Sequence, residues 1–148
     1  MTASETHFRK LENMYYSGPI NQELYKGVQL VVSHEKAEIT QEIISNFFHA
    51  GQSLHGSVYF KLLDDASYFA VQSIIQDYFI YTSTFNIQLL RPVNTGIIKA
   101  VGTVTFKSKN LFMAEAILFD EKNREVARGN GTFMKSQHLL DEKLGYFI

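Results

Sequence analysis

The sequence has no cysteine among its 148 residues. This absence excludes disulfide bridges, thiolate zinc sites and a cysteine nucleophile, and it is typical of proteins in a reducing compartment. The chain also lacks an excess of charge of one sign, because 14 Lys and Arg residues are balanced by 15 Asp and Glu residues. A basic surface for nucleic acid or for an anionic membrane is therefore not predicted.

Long hydrophobic runs are missing as well. No segment approaches the ~18 consecutive apolar residues of a membrane span, and residues 1–5 lack the apolar core of a signal peptide. We therefore expect a cytoplasmic protein that does not enter a membrane. No linker or internal repeat divides the chain, so one domain over residues 1–148 is predicted; two halves of about 70 residues would have thin cores.

What the chain does have is 45% hydrophobic residues, and their spacing predicts helices and strands. Apolar residues three and four apart predict a short helix around residues 8–15 and a long helix over residues 56–76. β-Branched and alternating segments predict six strands, at residues 27–32, 37–44, 78–90, 97–107, 111–119 and 125–134. Residues 138–148 form a tail that either docks or is disordered. Short polar turns favour antiparallel pairing and an α+β fold, with one curved sheet around one helix.

The long helix carries the residues of greatest chemical interest. His55 and Gly56 precede an acid, Asp64, on a helix that is apolar nearly all round, where a carboxylate is costly to bury unless function requires it. A helix N-terminus offers free N–H groups for a developing oxyanion, glycine lets a ligand approach the backbone, and a desolvated carboxylate can be a base or nucleophile. The alternative is that Gly56 merely eases a loop-to-helix junction. Asp65 points about 100° away from Asp64 and is interpreted as a structural acid.

Four segments, in order, resemble hotdog-fold acyl-CoA thioesterases of the branch that includes phenylacetyl-CoA thioesterases. They are Leu54-His55-Gly56, Leu62-Leu63-Asp64, residues 82–92 (TSTFNIQLLRP) and residues 126–133 (VARGNGTF). The resemblance covers about residues 5–135. It implies a hotdog fold, hydrolysis of an acyl-CoA, a homodimer or dimer of dimers, and no cofactor beyond the coenzyme A of the substrate.

The resemblance also implies roles for single residues. The N–H of Gly56 would receive the thioester carbonyl oxygen, the partner subunit's Asp64 would be the base or nucleophile, and Thr82 would help to place the water. His49 stands six positions before His55, where the family usually has asparagine. It either replaces that asparagine or caps and fills the loop. His55 is expected to position other groups rather than to act as a base.

Cations and aromatic residues give weaker predictions. Candidates to bind the phosphates of coenzyme A are Arg91, Lys107, Lys109 and Arg128. For any one of them, a solvated charge at a strand edge is the simpler interpretation. The aromatic residues of the long helix and the next strand are interpreted as mostly core, and any that line a tunnel beside the helix would predict an apolar or aromatic acyl group. They are Tyr59, Phe60, Tyr68, Phe69, Tyr78, Phe79, Tyr81 and Phe85.

The histidines do not have the spacing of a metal site, so no metal is predicted, and His7, His34 and His138 are interpreted as surface residues. Two other functions stay open. His49 at the asparagine position is compatible with a hotdog protein that binds an acyl thioester without hydrolysing it. A dehydratase acting on acyl thioesters shares the fold and ranks last.

Overall fold

The computed structural model describes all 148 residues. Its helices are α1 (Ala3–Ser17), α2 (Pro19–Glu23) and α3 (Gly56–Gln72), and its strands are β1 (Gln29–Ser33), β2 (Lys36–Glu42), β3 (Tyr78–Leu89), β4 (Ile97–Lys107), β5 (Leu111–Phe119) and β6 (Glu125–Leu139). The strands form one antiparallel sheet in the order β1-β2-β4-β5-β6-β3, and α3 contacts all six. The predicted α+β fold with one sheet and one central helix is confirmed. No helix is both long and apolar enough to cross a membrane.

Helix α3 is buried along most of its length because it is apolar on nearly every side. Leu62, Leu63 and Ala66 are fully buried. The helix ends at Gln72, four residues before the predicted end, and the Gln72 side chain gives the physical reason. Its amide donates to the carbonyls of Ile75 and Tyr78 and accepts from the Ile80 N–H. These side-chain hydrogen bonds satisfy the backbone that connects α3 to β3, in place of the bonds that further helical turns would make.

Helix α3 lies directly on strand β4 at Gly102. A β-carbon at Gly102 would overlap the backbone carbonyl of Ala66, so only glycine allows this approach. Asp64 is two residues before Ala66 on the same helix. The Gly102 contact therefore helps to fix the height of the Asp64 carboxylate above the sheet.

Strand β3 is the last strand of the sheet, and one of its edges has no partner in the protomer. Its pairing with β6 shifts register between Thr82 and Thr84, so Ser83 is an additional, bulged residue. Without the bulge, Thr82 and Leu89 would face opposite sides, because side chains alternate along a strand. With it, both lie against α3, Thr82 at Asp64 and Leu89 at Gly56.

The two termini pack together on the domain. Strand β6 continues to Leu139, five residues beyond the predicted end, and the tail after it docks rather than being disordered. The Tyr146 hydroxyl lies 2.7 Å from Nδ1 of His7, and Nε2 of His7 donates to the Gln72 carbonyl at 2.9 Å. His7 is 2% exposed, so its interpretation as a surface residue was wrong: the tail and α1 cover it. His34 and His138 are exposed, as predicted.

Helix α1 begins earlier than the predicted residue 8. Thr2 accepts a hydrogen bond from the Glu5 N–H, and the Glu5 carboxylate accepts one from the Thr2 N–H. This reciprocal capping box satisfies N–H groups that the first turn would leave without partners. The local polar sequence, and not the apolar stripe that predicted the helix, therefore sets the start of α1.

Candidate active site

The N-terminus of α3 presents a free backbone donor. His55 is the N-cap residue, and its Nδ1 accepts a hydrogen bond from the Ser57 N–H at 3.0 Å. The Val58 N–H donates to the His55 carbonyl. The Gly56 N–H has no hydrogen-bond partner in the protomer, and the positive end of the helix dipole lies there. This end of α3 can bind a carbonyl oxygen that gains negative charge.

A small pocket of about 270 Å³ lies beside Gly56. Its lining comprises His49, Ser53, Leu54, Gly56, Tyr59, Leu89, Leu90, Arg91 and Pro92. The Tyr59 hydroxyl donates to the Arg91 carbonyl at 2.8 Å, which ties the end of the β3 segment to α3. Of the predicted site residues, the pocket thus brings together Gly56, His49 and Arg91.

The ring of His49 has a defined orientation. Its Nδ1 accepts from the Gly51 N–H at 2.9 Å, so in the neutral ring Nε2 carries the proton, 3.2 Å from the Ser53 hydroxyl. Nε2–H is a donor, as the amide of asparagine would be. The ring thus fills its own loop, which is one of the two predicted alternatives, and it also lines the pocket at Gly56. Ser53, which was not identified from the sequence, is the neighbour of the Nε2 donor.

Asp64 lies in a second, larger cavity of about 730 Å³. The Thr82 hydroxyl donates to its Oδ1 at 2.9 Å. Burial raises the pKa of Asp64 to about 6, against the opposing effect of the Thr82 hydrogen bond. A carboxylate of this kind is ionised at neutral pH and is more basic than an exposed aspartate, as a general base requires.

Asp65 has a different environment, although it is the next residue. Its Oδ2 accepts from Lys61 at 2.6 Å and from the Tyr15 hydroxyl at 2.7 Å. Lys61 also donates to the Tyr15 hydroxyl and to the Asn21 side chain, at 3.0 and 2.7 Å. All three Lys61 protons have acceptors. Asp65 therefore connects α3 to the segment of α1 and α2, in agreement with its predicted structural role.

The Asp64 cavity is mostly apolar, and four parts of the chain form it. Its lining comprises Met14, Tyr15, Gly18, Ile20, Asn21 and Tyr25 from the N-terminal segment, Ser57, Phe60, Lys61, Asp64, Asp65, Tyr68 and Phe69 from α3, Phe79, Ile80, Tyr81 and Thr82 from β3, and Leu144 from the tail. Five of the predicted aromatic residues are among them; Tyr59, Tyr78 and Phe85 are not. The sequence did not predict that the N-terminal segment and the tail form part of the cavity wall. An apolar stripe on a helix indicates that the helix packs, but it does not indicate which part of the chain packs against it.

Gly56 and Asp64 belong to separate pockets within one protomer. They are eight residues apart on a single helix, which corresponds to a rise of about 12 Å. One thioester group cannot contact both when they belong to the same helix. The structure thus places these predicted site residues in two groups, Gly56 with His49 and Asp64 with Thr82, hereafter called half-sites.

The four predicted phosphate-binding cations are not brought together. Arg91 lines the Gly56 pocket. Lys107 pairs with Glu35, and Arg128 pairs with both carboxylate oxygens of Glu125 at 2.6 Å. Lys109 is exposed in the turn between β4 and β5. Only Arg91 is thus placed next to a candidate reacting group.

Comparisons with known proteins identify the family and the fold. The family model described as "Thioesterase superfamily" matches residues 51–127, slightly more than half of the chain. No curated protein matches the sequence. Among solved structures, the PaaI protein of the E. coli phenylacetic acid degradation operon has 21% identity and a TM-score of 0.84, over 95% of this chain and 100% of that chain.

Two other similar structures show the same fold. A conserved protein from Pseudomonas aeruginosa has 21% identity and a TM-score of 0.74, over 91% of this chain and 100% of its own. A thioesterase from Haemophilus influenzae has 18% identity and a TM-score of 0.73, over 82% and 85%. The predicted hotdog fold is confirmed. Since the family model covers more than half of the residues, including all of α3, the chain belongs to the thioesterase superfamily.

Proposed function

We propose that the protein is an acyl-CoA thioesterase that hydrolyses an apolar or aromatic acyl-CoA to the free acid and coenzyme A. The observation that carries this proposal is Asp64. Its carboxylate is largely buried, its pKa is raised to about 6 by burial, and the Thr82 hydroxyl orients it at an apolar cavity. A costly charge placed beside space for an acyl group is typical of a catalytic base or nucleophile. The proposed location is the cytoplasm.

We infer that two copies complete the site. Thr82 contacts the Asp64 half-site and Leu89 contacts the Gly56 half-site, and both are on the free edge strand β3. If two β3 strands pair antiparallel about the midpoint between Phe85 and Asn86, Thr82 of one copy lies opposite the partner's Leu89. Each Asp64 then approaches the partner's Gly56.

The composition of the β3 edge supports this pairing. Tyr81, Leu89 and Leu90 are about half exposed in the protomer, at 52, 51 and 50%. An unpaired edge of 12 residues with such side chains favours association with another strand. A homodimer or a dimer of dimers is therefore the proposed assembly.

The reaction follows from the joined half-sites. The Gly56 N–H polarises the thioester carbonyl and stabilises the oxyanion. Acting as a base, Asp64 takes a proton from a water held by Thr82 and by Nε2–H of His49. The water oxygen then bonds to the carbonyl carbon, the C–S bond breaks, and the proton passes to the coenzyme A thiolate. Acting as a nucleophile, Asp64 instead bonds to the carbonyl carbon and the C–S bond breaks. Water then hydrolyses the resulting anhydride, which frees the acid and Asp64, and its proton passes to the coenzyme A thiolate. Arg91, beside Gly56, is the proposed cation for coenzyme A; Lys107, Lys109 and Arg128 remain predictions for that role.

The first test measures release of free thiol from a panel of aliphatic and aromatic acyl-CoAs. Asp64→Asn should lower kcat by at least about 10³-fold, as expected for loss of a catalytic base or nucleophile. Asp77→Asn, an exposed aspartate just beyond α3, is the matched control and should leave the rate unchanged. Absence of thiol release by the wild type on every substrate, or an unchanged rate in Asp64→Asn, would contradict the proposal.

A second test asks whether the site is shared between subunits. Gly56→Pro removes the N–H while proline suits the first position of a helix, and His55 already has the extended backbone that precedes proline. This variant and Asp64→Asn should each be inactive. Unfolding and refolding them together should restore about a quarter of the wild-type activity, because half of the dimers are mixed and each mixed dimer has one intact site. No recovery despite mixed dimers would exclude a shared site.

Binding without hydrolysis is the second candidate function. It is favoured by His49, which stands where the family usually has asparagine and whose ring makes hydrogen bonds within its own loop. In that case acyl-CoA should raise the melting temperature while no thiol appears. An unchanged melting temperature at saturating acyl-CoA would contradict this function.

A further inference from the structure

We infer that the C-terminal tail, residues 140–148, closes the far end of the Asp64 cavity and that Leu144 sets the length of acyl group that fits. This inference rests on the proposed function, because it assigns the acyl group to that cavity. Leu144 lines the cavity together with Met14 and Phe69. It lies outside the part of the chain that the superfamily model matches.

The cavity runs along α3. Ser57, Phe60, Asp64 and Tyr68 line it at successive turns, followed by Phe69. Asp64 is therefore not at an end of the cavity, and about 7 Å of helix separates it from Phe69. The thioester is expected at Asp64, and the part of the cavity beyond it, towards the C-terminus of α3, is available to the acyl group.

The tail that carries Leu144 is attached at that C-terminal end. The tail leaves β6 at Leu139, which pairs with Tyr78, and the Leu140 N–H donates to the Asp77 carbonyl. Tyr146 is linked through His7 to the carbonyl of Gln72, the last residue of α3. Leu144 lies between these two attachment points in the chain and lines the cavity, so we assign it to the wall at this end.

The tail is held firmly in this position. Gly145 has a positive φ of 84°, and a β-carbon there would overlap the Ser17 side chain. The Asn13 side chain donates to the Gly145 carbonyl at 3.2 Å. Since the backbone next to Leu144 is fixed against α1 on one side and by Tyr146 on the other, the end of the cavity has a defined position.

The test changes the depth of the cavity in both directions. The expected readout is the ratio of kcat/KM for a chain about two carbons longer than the wild-type optimum to kcat/KM for that optimum. Leu144→Ala should raise this ratio roughly tenfold, and Leu144→Phe should favour shorter chains. Leu140→Ala is the matched control, because Leu140 packs in the same tail without lining the cavity; its length profile should equal that of the wild type. Circular dichroism and melting curves report whether each variant folds.

The same variants are also made in the Asp64→Asn background, and their affinity for saturated acyl-CoAs of increasing length is measured by calorimetry. This arm does not need turnover, so it tests the end wall even if the wild type hydrolyses no acyl-CoA and the proposed function fails. Opposite shifts of the preferred length in Leu144→Ala and Leu144→Phe would support the inference. Folded variants whose length profile matches the wild type in both measurements, or a Leu140→Ala profile that shifts equally, would overturn it.

Discussion

Two neighbouring carboxylates on α3 have contrasting surroundings. Asp65 shares one oxygen between Lys61 and Tyr15 and belongs to a network in which every lysine proton is used. Asp64 accepts a single side-chain hydrogen bond, from Thr82, and burial raises its pKa. The comparison teaches that burial alone does not mark a functional acid: the charge of Asp65 is neutralised by a partner, whereas Asp64 keeps its charge next to empty, apolar space.

The strongest way to break this comparison is to remove the partner of Asp65. Lys61→Met leaves the Asp65 carboxylate without its cation, and because the Lys61 side chain is only 10% exposed, a loss of about 2–4 kcal/mol in the free energy of unfolding is expected. Urea unfolding measures it. Lys99→Met is the control, since Lys99 is 47% exposed in its pair with Glu38, and it should cost less than about 0.5 kcal/mol. Equal effects of the two substitutions would show that the Lys61–Asp65 pair is not structural.

A smaller effect on stability is expected at Asp64, and it has the opposite sign. Its folded-state pKa of about 6 lies above the ordinary 3.8, so the folded chain holds a proton at pH 5 that the unfolded chain has released. This contribution to stability is complete below pH 3.8 and is lost as the pH rises through 6. Asp64→Asn should therefore stabilise the protein more at pH 8 than at pH 4, by about 1–2 kcal/mol after allowance for solvent. Unfolding curves of both proteins at the two pH values give the difference, and a pH-independent difference would contradict it.

The finest distinction concerns Thr82. Its hydroxyl lowers the pKa of Asp64 against the effect of burial, and that pKa is about 6. If Asp64 is the base, the acidic limb of kcat/KM is expected to follow this pKa, and Thr82→Val should raise it. The rate should fall more at pH 6 than at pH 8. Thr84→Val is the matched control, because Thr84 lies on the same strand but pairs with Thr132 on the outer face. A uniform loss of rate at all pH values would assign Thr82 a purely structural role.

The features that the sequence predicted are those encoded locally. The spacing of Gly56 and Asp64 lies within one helix, so its period fixes their separation without any knowledge of the fold. His7 was misassigned because its burial depends on Tyr146, 139 positions later. The cavity wall at Tyr15 and Leu144 was missed for the same reason. An apolar face predicts that a helix packs, but long-range contacts decide what it packs against.

Gly102 lies in the middle of the sheet, on a strand that contributes no side chain to either half-site. Because its backbone touches Ala66 of α3, the distance between α3 and the sheet at this point helps to determine the position of the Asp64 carboxylate. A methyl group there would displace the helix by about 1 Å, a misplacement that can cost roughly a hundredfold in rate. On the proposed mechanism, a residue that never meets the substrate thus helps to set the position of the Asp64 carboxylate, and enlarging it would strain the packing of α3 on the sheet as well.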